Sequence, residues 1–173
     1  MGFTTTPSGA SCGATIDGVR LHEPLSSDLI AELRAQWLEH KVLIFPKQQL
    51  TPSQLVAFSE QFGEIGEDPF FGHIKEHPKV AAVQRDAHEK TAIFAEIFHS
   101  DWSFLGVPPA GTVLYGITIP PIGGETLFAD QCMAYQQLPD DLRDQVEDLV
   151  AIHSAALGYA PDGAYGEDDQ ALG

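Results

Sequence analysis

The chain is short of cysteine, of basic side chains and of long apolar runs, and each shortage excludes something. Cys12 and Cys132 are its only cysteines, too few for a disulfide scaffold. Two thiols so far apart, with no export signal, fit a reducing compartment, and a cytoplasmic location is expected. No apolar run approaches the roughly 20 residues a membrane helix needs. Met1-Gly2-Phe3-Thr4-Thr5-Thr6 has neither the basic start nor the apolar stretch of a signal peptide.

Basic residues number 9 against 25 acids, a formal net charge of −16. So acidic a chain repels phosphate backbones and anionic lipid, so neither nucleic acid nor a membrane is expected as a partner. After Lys90 the only basic side chain is Arg143, and the stretch from Pro139 to Gly173 sets nine acids against it. An anionic ligand bound there would meet almost no cation.

What is present is ordinary for a globular protein: 173 residues, 43% hydrophobic and 20% charged. That length suits one domain or part of a larger one. Residues 14–19 read as a short strand. Ser26 and Ser27 open an amphipathic helix in which Leu29, Leu33 and Trp37 recur, flanked by Ile30 and Leu38, and it ends near Glu39. Val42-Leu43-Ile44-Phe45 reads as an apolar strand stopped by Pro46. Thr51-Pro52-Ser53-Gln54 has the form of a capping box with Pro at the first helical position. That helix should run to about Phe62.

Residues 63–79 read as a loop, 80–84 as a strand and 86–90 as a turn. Further strands are expected at 111–119, 126–128 and 151–153, with a turn at 120–124. A helical turn is expected at 133–137, and Pro139 opens a helix whose apolar face carries Leu142, Val146, Leu149 and Val150. Residues 157–173 have no periodicity. Short strands between Gly/Pro turns, with helices toward the N-terminus, predict an α+β or mainly-β fold.

The sharpest local signal is His99-Ser100-Asp101. In extended backbone, residues i and i+2 point the same way. An imidazole nitrogen and a carboxylate oxygen so placed can take adjacent positions on one metal ion. With a second His they form the facial triad of non-haem Fe(II) oxygenases, which leaves three positions open. Alone, the tripeptide reads more readily as a surface His beside an acid.

Its surroundings decide between these. The run Phe98-His99-Ser100-Asp101-Trp102-Ser103-Phe104 is followed by Pro108-Pro109-Ala110-Gly111-Thr112 and by Gly123-Gly124-Glu125-Thr126-Leu127-Phe128. This resembles the taurine dioxygenase (TauD/TfdA) family of Fe(II)- and 2-oxoglutarate-dependent dioxygenases. The N-terminal layout agrees too, through the Val42–Pro46 strand, the Thr51-Pro52 helix start and Phe62-Gly63-Glu64. The likeness spans most of residues 14–155, and three motifs in register are far more specific than any one.

The resemblance implies one TauD/TfdA-like domain over 1–173, with a double-stranded β-helix (jelly-roll) core, helices packed outside, and a core incomplete at the C-terminus. It implies hydroxylation of a small molecule with O₂, with Fe(II) as cofactor and 2-oxoglutarate as co-substrate, and leaves a homo-oligomer open. By position, His99 and Asp101 match the first two iron ligands. Thr126 matches the Thr that contacts a 2-oxoglutarate carboxylate; without the family it reads as a turn Thr opening a strand. Related halogenases carry a small residue where Asp101 stands, so Asp101 implies oxygen insertion.

The family's third ligand, a His, and its 2-oxoglutarate-binding Arg are expected beyond Gly173. Among substitutes, His153 falls where the family has a residue that is not a ligand. His73, His77 and His88 sit in polar loops, and His22 and His40 are far from the motif. Arg143 lies among Asp140, Asp141 and Asp144 and reads as part of a solvated face. The expectation is therefore an N-terminal part of a longer enzyme, inactive by itself; the alternative is a truncated or degenerate non-catalytic relative. A cupin-like isomerase would use more His.

The likeness also reaches the substrate side. Taurine enzymes carry His-Pro-x-Tyr where this chain has Asp68-Pro69-Phe70-Phe71, and an Asn where it has Ala95. Asp68 and Phe71 are thereby candidate substrate contacts, and a neutral or cationic substrate is expected over taurine.

Overall fold

The computed structural model describes residues 2–66, 73–90 and 97–155. The chain divides into two compact units, 1–62 with 115–150, and 63–114 with 151–173.

The first unit is built on a three-stranded sheet. Strand β1 (Thr4–Pro7), which the sequence reading missed, pairs antiparallel with β2 (Ala14–Asp17), Thr5 opposite Ile16. Strand β3 (Leu43–Ile44) pairs parallel with β2, Ala14 opposite Leu43. Parallel neighbours need a crossover, and helix α1 (Ser27–His40) supplies it.

The Ser26 hydroxyl accepts from Leu29 N and caps α1, and Asp28 sits in the first turn, where the helix dipole favours an acid. At the other end Lys41 adopts φ 65°, its N–H bonds Trp37 O, and its Nζ bonds the carbonyls of Leu38 and Glu39. The chain leaves the helix there at a lysine rather than the usual glycine.

Helix α2 (Pro52–Glu60) has the expected capping box: Thr51 Oγ1 accepts from Gln54 N, and Gln54 Oε1 accepts from Thr51 N at 2.8 Å. Ile16, Val19, Leu21, Leu33 and Phe58 form the core between sheet and helices. Phe58 packs edge-on to Phe45 and tilted against Phe62, with centroids 5.7 and 5.2 Å apart. Arg34 bonds the Phe62 carbonyl and lies over its ring. Leu38, expected on the apolar face, is exposed.

The side-chain amide of Gln48 satisfies Leu21 N, Val19 O and Pro46 O where no strand does so. Tyr115 ties the later stretch to the same place, accepting from Leu50 N at 3.0 Å and donating to Gln48 O. Helices α3 (Gln131–Gln136), capped by Asp130, and α4 (Asp140–Val146) complete the unit. Helix α4 is shorter than expected. Leu149 and Val150 lie beyond it, and Leu142 and Val146 are exposed.

The second unit contains a hairpin of β4 (His73–Ile74) and β5 (His77–Ala81), Ile74 opposite His77. Two expectations are corrected here: residues 73–79 are not all loop, and the strand lies at 77–81 rather than 80–84. Pro78 lies within β5, and in a two-stranded ribbon its missing N–H can face outward. The turn at 86–90 is present, with Glu89 N bonded to Asp86 O.

The strands expected at 111–119, 126–128 and 151–153 do not form. Apolar alternation marks a face for burial, but a strand exists only once a neighbour takes its backbone hydrogen bonds. No described strand pairs with these stretches, and Ile117, Ile119, Leu127 and Ile152 are exposed. The described fold is thus a mixture of helix and strand.

Candidate metal centre

His99 and Asp101 lie in irregular backbone that passes into a turn. The turn closes with Leu105 N bonded to Trp102 O, and Trp102 adopts φ 46°. Both side chains are half exposed, and His99 Nε2 stands 3.1 Å from Asp101 Oδ1. The juxtaposition expected from the i, i+2 spacing is present.

The remaining atoms of the pair are held by the chain. His99 Nδ1 lies 2.8 Å from the carbonyl of Ile97. A carbonyl only accepts, so Nδ1 carries the proton and donates it. In the neutral ring Nε2 then turns a lone pair toward an anionic oxygen. The two atoms stand 3.1 Å apart, an arrangement in which a cation can be shared between them. Asp101 Oδ2 accepts from Thr112 Oγ1 at 2.7 Å, which leaves Oδ1 as the oxygen facing His99.

The donor set fits a divalent ion. Two neighbouring donors, each about 2.1 Å from a six-coordinate ion, lie about 3.0 Å apart, and the observed separation is 3.1 Å. Both donors have an outer hydrogen bond, the usual second support of metal-binding side chains. Among the described residues no third His, Cys, Asp or Glu joins them.

His153 does not join them. Its Nδ1 is 2.6 Å from Ser103 Oγ, and Ser103 Oγ also donates to Ser100 O. That hydroxyl has one proton, already given to Ser100 O, so His153 Nδ1–H donates to it. His153 thereby anchors the turn that carries the motif. Arg143 pairs with Asp140 on α4, as the run of acids implied.

Thr126 belongs to the first unit, after the turn at Gly123 and Gly124, and is exposed. The two glycines have φ of 82° and 77°, and a Cβ on Gly124 would stand 3.4 Å from Pro120 Cγ. Their place in the motif is thus a backbone requirement. Asp68, Phe71 and Ala95 lie outside the described residues. Thr112 and Ser103 were not legible as supports, because spacings of 11 and 50 residues follow no secondary-structure period. The one sequence hint was the position of Thr112 at the end of the Pro-Pro-Ala-Gly-Thr run.

The model of the taurine catabolism dioxygenase TauD, TfdA family matches residues 4–169. The (S)-phenoxypropionate/alpha-ketoglutarate-dioxygenase of Sphingobium herbicidovorans is 33% identical, over 95% of this chain and 60% of its own. The alpha-ketoglutarate-dependent 2,4-dichlorophenoxyacetate dioxygenase of Cupriavidus pinatubonensis is 32% identical, over 90% of this chain and 59% of its own. A solved taurine dioxygenase from Burkholderia xenovorans superposes with a TM-score of 0.67 at 34% identity, over 84% of this chain and 51% of that one. The chain spans about half the length of the relatives it matches. With the family model matched along nearly all of its length, the chain belongs to the TauD/TfdA family.

Proposed function

We propose that the protein this chain belongs to is an Fe(II)- and 2-oxoglutarate-dependent dioxygenase that hydroxylates a small molecule, and that residues 1–173 are one TauD/TfdA-like domain of jelly-roll type. The observation that carries the reading is the His99 Nε2–Asp101 Oδ1 pair at 3.1 Å, each partner supported from outside, in a chain of this family. His99 and Asp101 would hold the ion, and Thr126 would contact a carboxylate of 2-oxoglutarate. Iron, when bound with 2-oxoglutarate and O₂, would supply the oxidising power for inserting one oxygen atom into a substrate C–H bond, the other going to succinate with loss of CO₂.

The chain's own residues do the positioning. The Ile97 carbonyl fixes the tautomer of His99. Asp101 supplies the negative charge that a divalent ion calls for. The His153–Ser103–Ser100 chain of hydrogen bonds holds the turn just beyond Asp101. Asp68 and Phe71 are proposed as substrate contacts.

The test is 2-oxoglutarate-dependent succinate formation by the protein at its full natural length, with Fe(II) and O₂. Asp101→Ala should abolish it by removing the anionic donor. Activity within severalfold of wild type would remove Asp101 from the site. No succinate from the wild type with any substrate would favour a non-catalytic relative.

A further inference from the structure

Resting on the metal-site reading above, we propose that Thr112 is a positioning residue for Asp101, whose hydroxyl makes the carboxylate offer one oxygen rather than two. A carboxylate can hold an ion through a single oxygen or chelate it through both. In a six-coordinate site with His99, Asp101 and one further protein donor, single-oxygen binding leaves three positions free. Chelation leaves two, too few for a two-point co-substrate together with O₂. Whatever occupies Oδ2 therefore decides how open the site is.

Thr112 Oγ1 donates to Oδ2 at 2.7 Å, and Asp101 Oδ1 is the atom left beside His99 Nε2. The ionised carboxylate only accepts, so the direction of the bond is fixed, and its charge makes it stronger than a neutral one. The bond also holds the carboxylate plane against rotation, which would bring Oδ2 to the ion. Threonine suits the task because its β-branch restricts χ1. Pro108 and Pro109, just upstream, fix two backbone φ angles on the approach. Thr112 is exposed, so replacing it with its isostere valine opens no cavity.

The experiment measures Mn(II) affinity by electron paramagnetic resonance titration, and the Co(II) absorption spectrum, on the protein at its full natural length. The variants are Thr112→Val, Thr112→Ser, Asp101→Ala and the Asp101→Ala/Thr112→Val pair. Thr112→Val should weaken Mn(II) binding by about 10- to 100-fold, the usual effect of losing an outer-shell partner. It should also alter the Co(II) spectrum. Thr112→Ser keeps the hydroxyl and should restore both. In the Asp101→Ala background, Thr112→Val should have no further effect.

Asp101→Ala weakening Mn(II) while Thr112→Val changes neither affinity nor spectrum would overturn the role of Thr112 and leave the metal site standing. Asp101→Ala leaving affinity unchanged would overturn both. An equal loss from Thr112→Val with and without Asp101, or no rescue by serine, would mean that Thr112 acts through the fold, and would also overturn the proposal.

Discussion

Each of the two donors in the motif has one atom engaged by the chain and one facing its partner. His99 gives Nδ1–H to a backbone carbonyl and Asp101 receives a threonine hydroxyl on Oδ2, so Nε2 and Oδ1 are what remain. Three further residues are proposed to bear on the substrate. Asp68, Phe71 and Ala95 replace a His, a Tyr and an Asn of the taurine enzymes, and every replacement removes a hydrogen-bond donor. A site built to hydrogen-bond a group can reject a ligand lacking it by about 10⁴, and a site without those donors loses the corresponding advantage for an anion. A carboxylate at 68 adds repulsion that grows as water is excluded. In competition assays of succinate formation, an uncharged or amine-bearing substrate is expected to outperform taurine. An aryloxyalkanoate belongs in the assay because two relatives carry such substrates in their names. A clear win by either anion would mean that Asp68 points away from the substrate.

Elements with local stop and start signals were legible in the sequence. Helices α1 and α2 follow from Ser26, the Thr51–Gln54 box and the spacing of Leu29, Leu33 and Trp37, because capping and helical periodicity act within a few residues. The contact of His99 with Asp101 was legible for the same reason, being an i, i+2 relation. Strands depend on partners distant in the chain. Strand β1 was missed because Thr4–Pro7 has little apolar character of its own and exists by pairing with β2. The strands expected at 111–119 and 126–128 have the apolar pattern and lack the described partner. The supporting bonds of Thr112 and His153 were not legible, because side-chain hydrogen bonds across 11 and 50 residues leave no periodic trace. The capping box gives a direct test at this scale. Thr51→Ala removes the acceptor for Gln54 N and should lower stability by about 0.5–2 kcal/mol, read by urea denaturation. Thr51→Ser should keep most of it. A silent alanine would show that Pro52 and Phe58 packing hold α2 without the box.

Burial across the whole molecule is uneven. Among the described residues the buried apolar side chains, Ala14, Ile16, Val19, Leu21, Ile30, Leu33 and Phe58, all fall within residues 14–58. The most exposed ones come later: Val107 at 88%, Ile117 at 87%, Ile122 at 89% and Ile152 at 93%. A few exposed aliphatic residues are normal on any protein, and exposed apolar side chains in this number offer sites to which a small apolar molecule can bind. No described helix is long and apolar enough to cross a membrane. The 173-residue chain purified by itself is therefore expected to enhance the fluorescence of an apolar dye such as ANS at micromolar protein. The substitutions Ile122→Ser and Ile152→Ser should reduce that enhancement while changing stability by no more than about 0.5 kcal/mol, as exposed positions do. Sedimentation run alongside separates the two ways in which dye binding could fail. Dye binding that falls as the chain self-associates would mean that a second copy covers these side chains. A monomer that gives no enhancement would overturn the exposure argument for residues 107–152.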